Sequence, residues 1–218
     1  MVKIVKFGGS SLADAHQFKK VGDIIKSDPD RRFVVPSAPG KRFKDDIKVT
    51  DLLYKAYNAQ SDQEIESTFD TNKDRYQSII DELNLTVDLT EEFEVIKKNF
   101  QDQISEEYAA SRGEYLNGIL LANYLGFEFV DPATCIFIDE HGNYDDKKTD
   151  PILSKKLNEV ENCVIPGFYG CCSEDPTKIR TFSRGGSDVT GSIVAKCGQV
   201  KLYENWTDVS GFLVADPR

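Results

Sequence analysis

The sequence contains very little histidine. Only His16 and His141 are present, far apart in the chain and in polar surroundings, so a zinc site or a histidine-dependent catalytic triad has little to build on. Five cysteines occur, but none forms a CxxC pair or has a histidine at metal-ligand spacing. We therefore expect buried free thiols and no metal held by protein side chains.

Long apolar runs and basic clusters are also missing. No apolar stretch approaches the roughly 18 to 20 residues that a membrane helix requires, and the opening MVKIVKFGGS is too short and too charged for a signal peptide. A formal net charge of −10 argues against nucleic acid as a partner. We therefore expect a cytoplasmic protein that binds neither nucleic acid nor a membrane. An anionic small substrate is compatible with this charge if local cations or backbone N–H groups outweigh the global field.

The order of the apolar segments predicts an α/β fold. A composition of 39% hydrophobic and 29% charged residues is typical of one soluble globular domain. Apolar residues recur at helical spacing after the first strand and again over 188–197, which predicts helices between the strands. Alternating strands and helices predict an α/β sandwich with a largely parallel central sheet. The predicted strands are 3–7, 33–35, 128–130, 135–138, 163–165 and 200–203.

Residues 45–125 carry a helical and rather polar pattern, which predicts a helical insertion packed at one end of the sheet. Proline and glycine residues over 36–40 predict a loop where the second strand ends. The turn at 139–143 lacks the full calcium-loop pattern, so we interpret it as a hairpin connection. One apolar stripe of the insertion contains Phe93, Ile96, Phe100 and Ile104.

Three glycine-containing loops follow predicted strands, at 6–11, 166–170 and 184–188. Loops at the carboxyl ends of parallel strands line the ligand crevice of an α/β sheet, and helix N-termini there offer N–H groups to anions. Three such loops favour a phosphate-bearing ligand. Each loop alone is a weak signal, because none matches GxxxxGK[ST] or GxGxxG and a glycine pair after a strand is more often only a tight turn.

Charged residues beside these loops sharpen the signal. Lys6 ends a strand where its ammonium could reach a phosphoryl group, although a solvent-facing lysine on an edge strand is the alternative. Arg184 has the planar fork that suits a carboxylate, and its alternative is a surface ion pair. Asp188 could instead be a helix N-cap, and Glu114 an exposed acid in a first helical turn.

The block Lys6-Phe7-Gly8-Gly9-Ser10-Ser11 resembles the N-terminal signature of aspartate kinases, which belong to the amino-acid kinase superfamily. Seven or more blocks in family order across the chain make chance similarity implausible. The resemblance implies a three-layer sandwich, and it implies that residues 1–218 are a catalytic domain without its C-terminal portion and its regulatory ACT domains. The other matching blocks lie at 35–38, 50–51, 113–114, 166–168, 183–188, 206–209 and 215–218.

The resemblance implies an enzyme that transfers the γ-phosphoryl group of ATP to the β-carboxylate of L-aspartate and gives 4-phospho-L-aspartate. This is the first step of lysine, threonine and methionine biosynthesis. Magnesium would accompany ATP and be held mainly by phosphate oxygens and water. The full-length form is expected to be a homo-oligomer.

Residue roles follow from the same resemblance. Lys6 and Asp188 are the implied catalytic residues. Arg184 would clamp the α-carboxylate of aspartate, and Glu114 and Asp188 would face its ammonium. The implied nucleotide-binding residues are Lys6, Phe7, Gly8, Gly9, Ser10, Thr207, Asp208, Leu213 and Arg218. The implied substrate-binding residues are Ser37, Thr50, Glu114, Arg184 and Asp188.

The proposed chemistry agrees with the scarcity of histidine. The nucleophile is a carboxylate with an ordinary pKa of about 3.9, so it needs no general base at neutral pH. Catalysis then depends on alignment and charge stabilisation. Two alternatives stay open: another superfamily member, such as a glutamate, acetylglutamate or uridylate kinase, and a non-catalytic fragment that binds aspartate.

Overall fold

The computed structural model describes residues 2–183 and 185–207, which form two sheets and the helices around them. The strands are β1 (Lys3–Phe7), β2 (Arg31–Pro36), β3 (Glu128–Phe129), β4 (Phe137–Ile138), β5 (Cys163–Val164), β6 (Tyr169–Cys172), β7 (Ile179–Thr181) and β8 (Leu202–Trp206). The α-helices are α1 (Ala15–Lys26), α2 (Val49–Tyr57), α3 (Asp62–Leu83), α4 (Thr90–Gln101), α5 (Glu106–Leu125), α6 (Asp146–Glu159) and α7 (Gly186–Cys197).

The main sheet has five strands in the order β3-β5-β2-β1-β8, and every neighbouring pair is parallel. Side chains alternate between its two faces, as the strand period requires. Val5 and Val34 pack with α1 to α5, whereas Ile4 and Val35 pack with α6 and α7. Helices therefore cover both faces, and the predicted three-layer sandwich with a parallel central sheet is confirmed.

Several helices begin where local sequence favours a start. Asp14 caps α1 by accepting a hydrogen bond from the Gln17 amide at 2.9 Å. Ser61 and Ser105 cap α3 and α5 in the same manner. Each cap satisfies one of the amide groups that a first turn leaves without a helical partner. These starts fix the lengths of the connecting loops.

The predicted helical insertion over 45–125 is present as α2 to α5, but its predicted location is partly wrong. Helix α5 contacts β2, β3 and β5, so it lies across one face of the sheet rather than at one end. The predicted stripe is buried at Phe93, Ile96 and Phe100, whereas Ile104 is 57% exposed. The chain turns away after Gln101, and Gln103 adopts φ of +50°.

A second sheet and one helix were not predicted. The strands β4, β6 and β7 form a three-stranded sheet, and β6 begins at Tyr169 inside the predicted loop 166–170. Glycine and cysteine residues give β6 a weak strand signal. Helix α6 escaped prediction because it contains Pro151 and has a mostly polar sequence. The hairpin at 139–143 is confirmed by the Asp139 amide, which bonds the Asn143 carbonyl at 2.9 Å.

Other local predictions need smaller corrections. Strand β2 includes Pro36, so the loop begins one residue later than predicted. Strand β8 lies at 202–206 rather than 200–203, and α7 begins at Gly186 rather than at 188. All five cysteines are buried free thiols, as predicted. No helix in the described ranges is long and apolar enough to span a membrane.

The parallel sheet brings distant loops to one edge. The loops after β1 and β2 leave the carboxyl ends of adjacent strands, and Thr207 follows β8 at the same edge. The first two loops touch through Gly9 and Gly40, whose amide donates to the Gly9 carbonyl at 2.8 Å. A Cβ atom added to Gly9 would lie 2.7 Å from the Ala38 carbonyl oxygen. Only glycine allows this backbone approach.

We predict that Gly9→Ala destabilises the chain by about 1–3 kcal/mol, because the new methyl group must displace backbone atoms. Gly8→Ala is the matched control, since Gly8 has nothing within 4 Å of the added atom and a φ of −71° that alanine accepts. The control should change stability by less than about 0.5 kcal/mol. Urea unfolding of both variants measures the difference. Equal stabilities of Gly9→Ala and Gly8→Ala would show that the loops after β1 and β2 can move apart without loss of stability.

Candidate active site

Lys6 and Asp188 form an ion pair at the carboxyl edge of the sheet. The Lys6 Nζ atom lies 3.0 Å from Asp188 Oδ1, and Asn205 Nδ2 donates to the same oxygen at 3.1 Å. Lys6 is buried in β1, which lies between β2 and β8, so the alternative of an edge-strand lysine is wrong. The N-cap of α7 is Gly185, so the N-cap alternative for Asp188 is wrong too.

The first glycine loop directly follows Lys6 at the same edge of the sheet. Gly8 and Gly9 are partly exposed, Ser10 is exposed, and the Gly8 amide donates to the Trp206 carbonyl at 3.4 Å. Thr207 directly follows β8 at the same edge and is exposed. The structure therefore gathers four of the predicted nucleotide-binding residues around Lys6.

Phe7 differs from the other residues of this loop. Its ring is 1% exposed and stacks on Trp206 with 6.2 Å between ring centroids. Its carbonyl oxygen accepts a hydrogen bond from the Ser37 amide at 3.1 Å. The ring therefore belongs to the core, and Phe7 shapes the loop through its backbone.

A cavity of about 550 Å³ lies beside the first two loops. It brings together five residues that the sequence blocks had singled out: Gly9, Ser10, Ser37, Thr50 and Glu114. Lys6, Gly8, Asp188 and Thr207 do not line it and form the adjacent group described above. The other lining residues, to which the sequence analysis gave no site role, are Ala38, Gly40, Lys41, Phe43, Lys44 and Lys48.

Glu114 is the buried acid of this cavity. It lies in the middle of α5 and is only 7% exposed, so the alternative of an exposed first-turn acid is wrong. Burial raises the pKa of Glu114 to about 7, and a hydrogen bond from the Ala38 amide opposes this rise. Its Oε2 atom has no hydrogen-bond partner in the described part of the chain. This unpartnered oxygen is suited to a cationic ligand group.

Neighbouring residues fix the geometry around Glu114. A Cβ atom on Gly113 would lie 2.8 Å from the Ala38 side chain, so glycine lets α5 approach the second loop closely. Asn117 Nδ2 donates to the Ser37 carbonyl oxygen at 2.6 Å. Asn117 follows Glu114 by three residues on the same helical face, and this spacing was a signal that sequence reasoning overlooked.

Ser37 connects the cavity to the Lys6–Asp188 pair. Its Oγ atom lies 2.9 Å from Ser187 Oγ, and Ser187 directly precedes Asp188 in α7. The two hydroxyl groups join a loop and a helix, at positions 150 residues apart in sequence. The cavity and the ion pair therefore belong to one continuous site.

Arg75 of α3 holds the loop between β2 and α2 in place. Its side chain is buried and donates to the carbonyl oxygens of Gly40 at 2.8 Å, Ile47 at 2.9 Å and Ala13 at 3.3 Å. Its Nη1 atom also lies 3.2 Å from Asp46 Oδ2. Sequence reasoning gave Arg75 no role, because its partners lie in other elements.

Asp46 is the acidic partner in this arrangement. Arg42 donates to both of its carboxylate oxygens, at 2.8 and 3.0 Å. These hydrogen bonds hold the pKa of Asp46 well below its usual range. Asp46 is therefore charged at neutral pH, and it forms ion pairs with Arg42 and Arg75.

Four predicted residues cannot be placed in this geometry. Arg184, Asp208, Leu213 and Arg218 lie outside the described residues. The described ranges contain no cluster of three or more His, Cys, Asp or Glu side chains that could hold a metal ion. A second cavity of about 640 Å³ lies between the start of α5 and the β6–β7 sheet, and it includes none of the predicted site residues.

Comparisons with known proteins agree with this geometry. The sequence model of the amino acid kinase family matches residues 1–218. The chain is 38% identical to Aspartokinase 3 of Bacillus subtilis, over 99% of the chain and 50% of that protein. The crystal structure of Clostridium acetobutylicum aspartate kinase shares 49% identity with a TM-score of 0.90, over 99% of this chain and 50% of that one.

A more distant structure shares the fold. Escherichia coli aspartokinase III, crystallised with aspartate and ADP, is 23% identical with a TM-score of 0.80, over 97% of this chain and 50% of that one. The chain thus spans about half the length of the relatives it matches. The resemblance to aspartate kinases inferred from the sequence blocks is confirmed by these relatives, and the chain belongs to the amino acid kinase family.

Proposed function

We propose that this chain is the catalytic domain of an aspartate kinase, which phosphorylates the β-carboxylate of L-aspartate with ATP. One observation carries the proposal. Lys6, which precedes the glycine loop, and a cavity that contains the buried acid Glu114 lie side by side in one site. Relatives at 38% and 49% identity are aspartokinases, which supports this choice over other members of the family.

Lys6 and the glycine loop are the proposed site of the ATP phosphates. Gly8 and Gly9 are partly exposed, Ser10 is exposed, and all three follow the buried Lys6 directly in the chain, an arrangement suited to phosphate oxygens. The E. coli relative was crystallised with ADP, which supports a nucleotide ligand for this fold. Magnesium would be held mainly by phosphate oxygens and water and would neutralise part of the phosphate charge.

The cavity is the proposed site of aspartate. The unpartnered Glu114 Oε2 would accept the α-ammonium, and the hydroxyl groups of Ser37 and Thr50 would orient the substrate. Arg184 is proposed to bind the α-carboxylate by analogy with the family motif. The E. coli relative was crystallised with aspartate as well, which supports an amino-acid ligand for this fold.

Phosphoryl transfer then requires alignment more than proton transfer. A β-carboxylate oxygen attacks the γ-phosphorus, a new P–O bond forms, and the bond to the ADP oxygen breaks with its electron pair leaving on ADP. The nucleophile is already ionised at neutral pH. Lys6 would stabilise the charge on the transferred group, and Asp188 and Asn205 would hold Lys6 in position.

Parallel assays test the substrate assignment. Phosphorylation by Mg-ATP is measured with aspartate, glutamate, acetylglutamate and uridylate, and the affinity of the chain for each is measured by titration calorimetry. We expect binding and turnover with aspartate above all others. Preference for another acceptor would assign the chain to a different kinase of the family. Aspartate binding without turnover would identify a non-catalytic aspartate-binding domain.

We predict that Lys6→Met lowers turnover with aspartate by roughly 100-fold to 1000-fold, because one charge-assisted contact to the transferred group is lost in a largely buried position. Calorimetry should show little change in aspartate affinity. Lys201→Met is the control, since Lys201 precedes β8 and lies at the opposite edge of the sheet. Near-normal turnover of Lys6→Met would exclude Lys6 from the mechanism.

We predict that Glu114→Gln stabilises the chain at alkaline pH while weakening aspartate binding. Because burial raises the pKa of Glu114 to about 7, the protonated acid favours folding below the ordinary pKa of 4.5, and this contribution is lost as pH rises through 7. Glutamine cannot ionise, so the variant should exceed the wild type by about 3 kcal/mol at pH 8.5 and match it near pH 4.5.

Urea unfolding between pH 4.5 and 8.5 measures this difference. Glu106→Gln is the control, because Glu106 lies exposed in the first turn of the same helix and should shift stability without this pH dependence. Calorimetry at pH 8 should show weaker aspartate binding only for Glu114→Gln, because an amide cannot neutralise the ammonium. A pH-independent stability difference would show that Glu114 has an ordinary pKa.

A further inference from the structure

Three lysines lie on one wall of the cavity. Lys41, Lys44 and Lys48 line it, and all three are exposed. None of them has an ion pair with another described residue, and the Lys41 Nζ atom contacts only the Lys44 carbonyl oxygen, at 3.5 Å. The sequence blocks gave these lysines no role. Their charge is available to a ligand in the cavity.

The loop that carries these lysines has a fixed position. Arg75 binds its backbone at Gly40 and Ile47 and approaches the carboxylate of Asp46. Arg42 also pairs with Asp46, so this carboxylate is not available to the lysines. Two more acids on this stretch, Asp45 and Asp51, are exposed and do not line the cavity. The wall therefore keeps a local positive charge.

The cavity lining also contains one acid, Glu114. Glu114 is nine-tenths buried, lines the cavity and has an unpartnered oxygen, so it is a second feature that calls for a ligand. A ligand that satisfies both the lysines and Glu114 carries an ammonium group and an excess of negative charge. An acidic α-amino acid has this combination, and a chain of formal charge −10 otherwise repels it.

We propose that Lys41, Lys44 and Lys48 form a cationic wall that attracts the negative charge of the acidic amino-acid substrate while Glu114 receives its ammonium. This inference rests on the proposed function. The lysines act through their summed field and not through one fixed hydrogen bond, since their side chains are exposed and flexible. Such a field is strong at low ionic strength and is screened over about 10 Å at 0.1 M salt.

The test is the affinity for aspartate at two salt concentrations. The triple variant Lys41→Gln, Lys44→Gln, Lys48→Gln should bind aspartate on the order of tenfold more weakly than wild type at low salt, as three charges near the ligand imply. At high salt the difference should fall to less than about twofold. Titration calorimetry measures both values.

The control variant removes three charges elsewhere. Lys26→Gln, Lys155→Gln and Lys201→Gln alter residues at or near the ends of α1 and α6 and just before β8, all toward the amino edge of the main sheet. Both triple variants lower the formal charge of −10 by three. The control should bind aspartate within about twofold of wild type at both salt concentrations.

A triple arginine variant at the three wall positions keeps the charge and should restore wild-type affinity. It also distinguishes the loss of charge from damage to the loop. Urea unfolding of every variant shows whether the chain still folds. Equal affinity of the wall variant and wild type at low salt would overturn the inference and leave the proposed function intact. A loss that is the same at both salt concentrations would overturn it as well. Failure of the wild type to bind aspartate would overturn the proposed function and this inference together.

Discussion

The buried guanidinium of Arg75 is the interaction on which the arrangement of the cavity depends. It joins α3 to Gly40 in the loop after β2, to Ile47 in the segment before α2 and to Ala13 in the segment before α1. Its two terminal nitrogens carry these hydrogen bonds, whereas its Nε atom has no hydrogen-bond partner among the described residues. Removing one partner of a buried charge typically costs about 3–5 kcal/mol. Three segments that line or flank the site therefore share one anchor.

The helical insertion, α2 to α5, supplies polar side chains to the site as well as covering the sheet. Helices α2 to α5 cover one face of the sheet, but α3 also carries Arg75 and α5 also carries Glu114 and Asn117. The same helices thus supply both the core and the polar groups of the cavity. Close packing at Gly113 sets the distance between α5 and the second loop. A shift of either helix would change the position of the buried acid.

Charge is separated within the site. Lys6 pairs with Asp188 of α7, while the lysines of the 41–48 loop line the same cavity as Glu114. The hydrogen bond between Ser37 and Ser187 connects these two groups. Under the proposed function, these cations would allow a chain of formal charge −10 to bind anionic ligands, because local charges outweigh the global field at short range.

The sequence by itself determined the strand, glycine loop and helix of the N-terminus and the parallel α/β architecture, because hydrophobic spacing and motif blocks are local signals. It also singled out several residues that the structure brings together at one edge of the sheet, such as Ser37, Thr50 and Glu114. It did not determine the second sheet, the place of α5 or the role of Arg75. Burial and partners depend on contacts between distant residues, such as Asn117 with Ser37 across 80 positions and Ser37 with Ser187 across 150. The raised pKa of Glu114 likewise exists only because folding removes that carboxyl group from water.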